Sequence, residues 1–166
     1  MADLIKFDIG SLIRFTNLLS KGLPSVKVGI TGNKAAVVHP EKGEKKGKTN
    51  AEIGLIQEFG KMTGKQRIPA RSFIVMPLKT RLNPYLKRKL KMTQKAFEKA
   101  VKSGRAEELA AKVGLIAETV IQDAFETSGW GKWAPNAPYT VKQKGSDKPL
   151  IDTGELRRSI SSEVIK

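Results

Sequence analysis

Apolar and polar positions alternate along this chain in blocks of different period. Over Asp8–Leu19 the apolar residues Ile9, Leu12, Ile13, Phe15, Leu18 and Leu19 recur at near-helical spacing, and Gly22 and Pro24 close the block. Val26-Lys27-Val28-Gly29-Ile30 alternates with period two and predicts a strand. Gly32-Asn33 reads as a turn and Ala35–His39 as the returning strand of a hairpin. From Glu41 to Asn50 no apolar residue occurs, which predicts an exposed loop over about 40–50. Asn50 is placed to cap a short helix, Ala51–Phe59, with Ile53, Ile56 and Phe59 on one side and Gly60 as its stop. Lys61–Arg67 reads as a second basic loop.

The next helical region follows Ile68–Ile74, with Asn83-Pro84 as a cap and first-turn pair or a kink. Leu86, Leu90, Thr93, Phe97 and Val101 are spaced 4, 3, 4 and 4, the stripe of an amphipathic helix. Its other face carries Lys87, Arg88, Lys91, Lys95, Lys99 and Lys102. Ser103-Gly104 breaks the pattern. A second helix over about Ala106–Phe125 aligns Leu109, Val113, Ile116, Val120 and Ala124, with Glu107 and Glu108 in the first turn where the helix dipole favours them. The short connection predicts an antiparallel hairpin of these two helices. Thr127–Lys148, rich in Gly, Pro, Trp and Lys, reads as a long loop, exposed over about 128–148, and Ile160–Ile165 as a final strand. The order of elements predicts one α+β domain over 1–166. A small antiparallel sheet is packed by an N-terminal helix and a long two-helix hairpin, with extended loops.

Composition narrows the chemistry. The absence of cysteine excludes a disulfide framework, a thiolate zinc site and a cysteine nucleophile. The N-terminus lacks a signal-peptide layout, and no run approaches the roughly 18 apolar residues of a membrane span, so synthesis in the cytoplasm and no membrane partner are expected. The formal charge of +15 attracts polyanions.

Candidate catalytic patterns fail on their own requirements. Gly47-Lys48-Thr49 matches the end of a phosphate loop, but Gly43 and Gly47 enclose three residues where four are needed. His39 is the only histidine, too few for a histidine-rich metal site, and it reads as a strand-end residue. Glu52, Glu58, Asp147, Asp152 and Glu155 form no spacing motif for acid–base work. Asp152-Thr153-Gly154-Glu155 is close to a capping box, with Leu156 and Ile160 on the core side and Arg157 and Arg158 turned outward. Neither catalysis nor a cofactor is expected.

Three blocks carry a resemblance: Ala51–Gly60 (AEIGLIQEFG), Ile68–Ile74 (IPARSFI) and Leu150–Ile160 (LIDTGELRRSI). In this order they are similar to the virion morphogenesis and tail completion family of tailed phages and prophages, over roughly residues 23–165. Ser72 departs from the proline frequent at that place. The resemblance implies a structural subunit of the virion, at the neck between head and tail. It would assemble as a ring, hexameric by expectation, around the DNA channel. Its neighbours would be neck and tail proteins: terminator, connector, tube or sheath. The expected interface residues are Arg71, Phe73, Trp130, Trp133, Arg157 and Arg158. Lys42, Lys45, Lys46 and Lys48 are expected to face DNA, contacted without sequence preference. The alternative is a stand-alone basic nucleic-acid-binding module.

Overall fold

The structure, a computed structural model, describes residues 24–39, 47–63, 66–91 and 93–165. In chain order these form β1 (Ser25–Ile30), α1 (Gly32–Ala35), β2 (Val38–His39), β3 (Lys48–Thr49), α2 (Asn50–Phe59), β4 (Lys61–Thr63) and β5 (Gln66–Ile68). The helices α3 (Val75–Leu90), α4 (Gln94–Lys102), α5 (Ala106–Glu126), α6 (Pro138–Lys144) and α7 (Glu155–Arg158) follow, and β6 (Ile160–Ile165) ends the series. The fold is α+β. The helix expected over Asp8–Leu19 lies outside the described residues.

The strand over 26–30 exists, but it does not turn back on its neighbour. β1 pairs antiparallel with β6, with Val28 opposite Ser162 and Ile30 opposite Ile160. Gly32-Asn33 opens the short helix α1 instead of a hairpin turn. Of the expected return strand only Val38 and His39 are extended, and they pair with Thr49 and Lys48 of β3. The basic loop over 61–67 is itself a hairpin, β4 on β5, with Lys61 opposite Ile68. The antiparallel structure is therefore divided into three two-stranded pairs among the described residues.

α5 lies across β1 and β6 on a face of small residues. Ala110, Gly114, Ala117, Ile121 and Ala124 are buried there. A Cβ on Gly114 would sit 2.6 Å from Ser162 Oγ and 3.2 Å from Val26 Cγ1, so a side chain at 114 would lift the helix off the strands. The buried face is rotated from the expected line, and Val113 and Ile116 are only half-buried. The core joins Phe73, Ile121, Phe125, Leu156 and Ile160, with Val28, Ile30, Ile53 and Trp133 packed on it. Phe73 and Phe125 tilt against each other at 5.3 Å between ring centroids. Truncating such a ring in a core costs about 3–5 kcal/mol.

The helical hairpin also differs from its expected form. α3 starts at Val75 and runs through Pro84, so Asn83-Pro84 neither caps nor starts it. Lys91 then adopts a left-handed conformation (φ 46°, ψ 33°) and separates α3 from α4. Among the helices α5 packs chiefly on α3, and the Tyr85 hydroxyl donates to Asp123 across that contact.

The stretch 128–148 is not an extended loop. Its first part folds as successive turns on the end of α5, with Gly129 N–H donating to Ala124 O at 2.7 Å. Its second part holds α6, started by Pro138 and closed by Gly145 at φ 66°.

Candidate functional site

Block by block, the three similar segments form one unit. The first begins with a capping box: Thr49 Oγ1 accepts Glu52 N–H at 3.2 Å, and Glu52 Oε2 accepts Thr49 N–H at 2.8 Å. The cap is thus Thr49, and Asn50 has another task. Its Oδ1 lies 2.7 Å from His39 Nε2, and its Nδ2 donates to Lys34 O at 2.9 Å.

Glu58, near the end of the same helix, is buried and turns its carboxylate onto the start of α3. Oε2 accepts the N–H groups of Phe73 (2.8 Å) and Ile74 (2.9 Å), and Oε1 accepts that of Val75 (3.0 Å) and the Ser72 hydroxyl. A helix start leaves N–H groups without intrahelical partners, and a carboxylate there also meets the positive end of the helix dipole. Glu58 therefore ties the first block to the second. Ser72 adds a further bond by accepting Met76 N–H at 2.9 Å.

Arg71, in the second block, is 7% exposed and reaches the third region of the chain. Its Nε donates to Ala134 O and its Nη2 to Pro135 O, both at 2.8 Å. Burial lowers its pKa from the ordinary arginine range, and the guanidinium remains a donor-only cation. Trp133 follows in the same stretch. Its indole N–H donates to Ser72 O at 3.1 Å, and its ring meets Phe125 edge-on at 5.8 Å.

The third block closes the unit. Leu156 and Ile160 enter the core as expected. The expected Asp152 capping box does not form. Gly154, at φ 78°, caps α7 without a side-chain bond, because its left-handed backbone makes the turn. Glu155 is drawn instead to His39, with Oε2 2.8 Å from Nδ1. His39 is thus held at both ring nitrogens, by Glu155 and Asn50, and it links β2, α2 and α7.

A cleft of about 1230 Å³ opens beside this junction. His39, Asn50, Arg67, Arg71, Tyr139 and Lys144 are among its lining residues. Burial is the largest influence on Lys144 and lowers its pKa, with Arg71 adding to this and Asp152 opposing it. Lys144 Nζ donates to Lys148 O at 3.0 Å. Among the described residues no group of three His, Asp or Glu side chains is placed to hold a metal ion, and no helix is long and apolar enough to cross a membrane.

The expected interface residues separate into two sets. Phe73 is fully buried and Arg71 nearly so, so neither is presented at the surface; both hold the fold. Trp133 is half-buried against the core, not an exposed anchor. Arg157 is engaged within the chain, donating to Gln122 Oε1 at 2.6 Å and pairing with Glu126 at 2.5 Å. Trp130 and Arg158 remain at the surface. Trp130 is half-exposed under Arg81, whose guanidinium stands 4.9 Å from the ring centroid, and Arg158 is exposed. Of the lysines expected to face DNA, Lys42, Lys45 and Lys46 lie outside the described residues. Lys48 is half-buried in β3.

One surface feature had no signal in the helical pattern. Leu55 and Phe59, a turn apart on α2, are 63% and 67% exposed, and Met62 just beyond them is 68% exposed. Val75 and Met76 at the start of α3, joined to this helix through Glu58 and Ser72, are also exposed. The sequence places Phe59 on one side of the helix with Ile53 and Ile56. Phe59 faces outward because Gly54 and Glu58 take the inner face.

Comparison with family models, with curated proteins and with solved structures returns no match for this chain.

Proposed function

We propose that this chain is a structural subunit of a tailed-phage neck. In this reading it forms an oligomeric ring around the DNA channel at the head–tail junction, completes or joins the tail, and catalyses no reaction. The observation that carries the reading is the convergence of the three similar blocks. Glu58 of the first caps the helix that the second begins, and Leu156 of the third packs in one core with Phe73 of the second. Residues that carry a resemblance while scattered over a surface would weigh little. Residues that build one junction weigh more, because each constrains the others.

The exposed apolar group of Leu55, Phe59 and Met62 supports self-association, since exposed apolar patches mark contact surfaces. Its partner in this reading is the neighbouring copy in the ring. The outward Trp130 and Arg158 are further candidates for contact with copies or with adjacent neck and tail proteins. Mass photometry of the purified protein tests the ring directly. A single closed species, sixfold by expectation, supports it. A monomer at every concentration and salt favours the stand-alone basic module.

A further inference from the structure

Two stretches of α3 and α4 concentrate positive charge away from the junction. The last turn of α3 exposes Lys87, Arg88 and Lys89, and Lys91 follows it. On α4, Lys95, Lys99 and Lys102 are exposed at spacings of four and three, which puts them on one face. Between Lys87 and Lys102 the only carboxylate is Glu98, so seven cations leave a net +6 of the chain's +15. Among the described residues no ion pair joins the seven, and Arg88 stands over the Tyr85 ring at 4.7 Å.

The helices themselves do not call for all of this charge. Cations in a last turn complement the helix dipole, which accounts for Lys87, Arg88, Lys89, Lys99 and Lys102. Lys95 is different. It stands in the first turn of α4, where the dipole disfavours a cation, and Glu98, three residues on, is the one carboxylate of the stretch near it. Lys95 also repels Lys99 one turn on. Lys91 holds the left-handed junction, a conformation that favours glycine. Both positions carry charge at a cost to local stability.

We propose that this strip is a docking surface for the phosphate backbone of duplex DNA. Charge complementarity names the partner, and the make-up of the strip separates DNA from an acidic protein. Protein–protein contacts are depleted in lysine and centre on apolar or aromatic anchors. Among the described residues, the exposed large hydrophobic ones all lie outside Lys87–Lys102. Lysines act as point charges, suited to phosphates read without sequence preference. Along α4 the three lysines are separated by about 6 and 4.5 Å of helix rise, comparable to the few ångströms between successive phosphates of a strand. The strip carries this contact whether or not the chain forms a ring, and it lies on α3 and α4, apart from the 40–50 segment.

The test is fluorescence anisotropy of the full chain on a random-sequence duplex, titrated between about 50 and 200 mM salt. If all seven cations meet phosphates, log K falls against log salt with a slope of about −6. The variant Lys95→Gln/Lys99→Gln/Lys102→Gln makes the slope shallower by about 3. The control Lys27→Gln/Lys61→Gln/Lys142→Gln removes the same charge from exposed positions elsewhere and changes the slope by less than about 1. Equal loss in both variants overturns the proposal, because the attraction is then only diffuse net charge. It is also overturned if the wild-type chain leaves the duplex unbound at the lowest salt, or binds poly-glutamate more tightly with the same lysine dependence.

Discussion

Glu58 accepts the backbone N–H of Phe73 at 2.8 Å, and through this bond the end of one helix becomes the cap of another. The same carboxylate takes the N–H groups of Ile74 and Val75, so three donors depend on one side chain. Replacing Glu58 by Ala leaves them without this acceptor, that of Phe73 in a buried place, and is expected to destabilise the fold by about 2–3 kcal/mol. Glu58→Gln keeps one acceptor oxygen and loses the charge, at a cost of about 1 kcal/mol. Urea denaturation measures both. An unchanged midpoint for Glu58→Ala would mean that the cap contributes nothing.

The two tryptophans are expected to behave oppositely. Trp133 packs on Phe125 and donates to Ser72 O, so Trp133→Ala loses about 3 kcal/mol. Trp130 has a cation–π contact with Arg81 and partial exposure, so Trp130→Ala costs about 1 kcal/mol or less. Thermal unfolding of the two variants distinguishes a core residue from a surface one. Similar losses would contradict the assignment.

Tyr85 provides a spectroscopic check on the contact of α3 with α5. Its pKa is raised from 10.0, chiefly by the hydrogen bond to Asp123, then by burial and by the charge of Asp123, with Arg88 opposing. A phenol whose folded pKa is raised contributes stability that is complete below its unfolded value, about 10. That contribution is lost as pH rises through the folded value. Tyrosinate absorbance should therefore show a component ionising above pH 10.0 that is missing from Tyr85→Phe. The alkaline fall in stability should also lessen in that variant. A single transition at the ordinary value in the wild-type chain would argue against the bond.

Much of this fold was legible because its signals are local. The period-two run at 26–30, the helix over 106–126 and the stop at Gly60 all come from neighbouring residues. Strand pairing did not follow, because β1 finds its partner at the far end of the chain and no local pattern names that partner. The break at Lys91 interrupts an apolar stripe that is continuous in sequence, and neither Gly nor Pro announces it. The N-terminal cap of α2 falls one residue before its expected place, since Thr49 and Asn50 are both good caps and only the Glu52 partner decides. At the junction, Leu156 and Ile160 were readable as core residues from their spacing. From sequence Glu58 reads as a solvated or capping carboxylate, and the helix it caps is not legible because that helix begins beyond the intervening hairpin. For Trp133 the sequence leaves an exposed loop aromatic and a half-buried one equally open, because the turns that fold it inward rest on positive-φ residues, Ser128 and Trp130 among them.

Self-association is expected to depend on the exposed side of α2. Leu55→Asp and Phe59→Asp place charges on an apolar patch without touching the core, so the folded monomer should persist while the assembly dissociates. Circular dichroism together with mass photometry reads both parts. An assembly that survives both substitutions would move the contact to another face.

The proposed ring in the neck of a tailed particle is open to electron cryo-microscopy of that particle at side-chain resolution. Several copies of this fold, six by expectation, should then stand around the DNA channel at the head–tail junction. A complete neck and tail with no density for this fold, in particles from which the chain is absent, would contradict it.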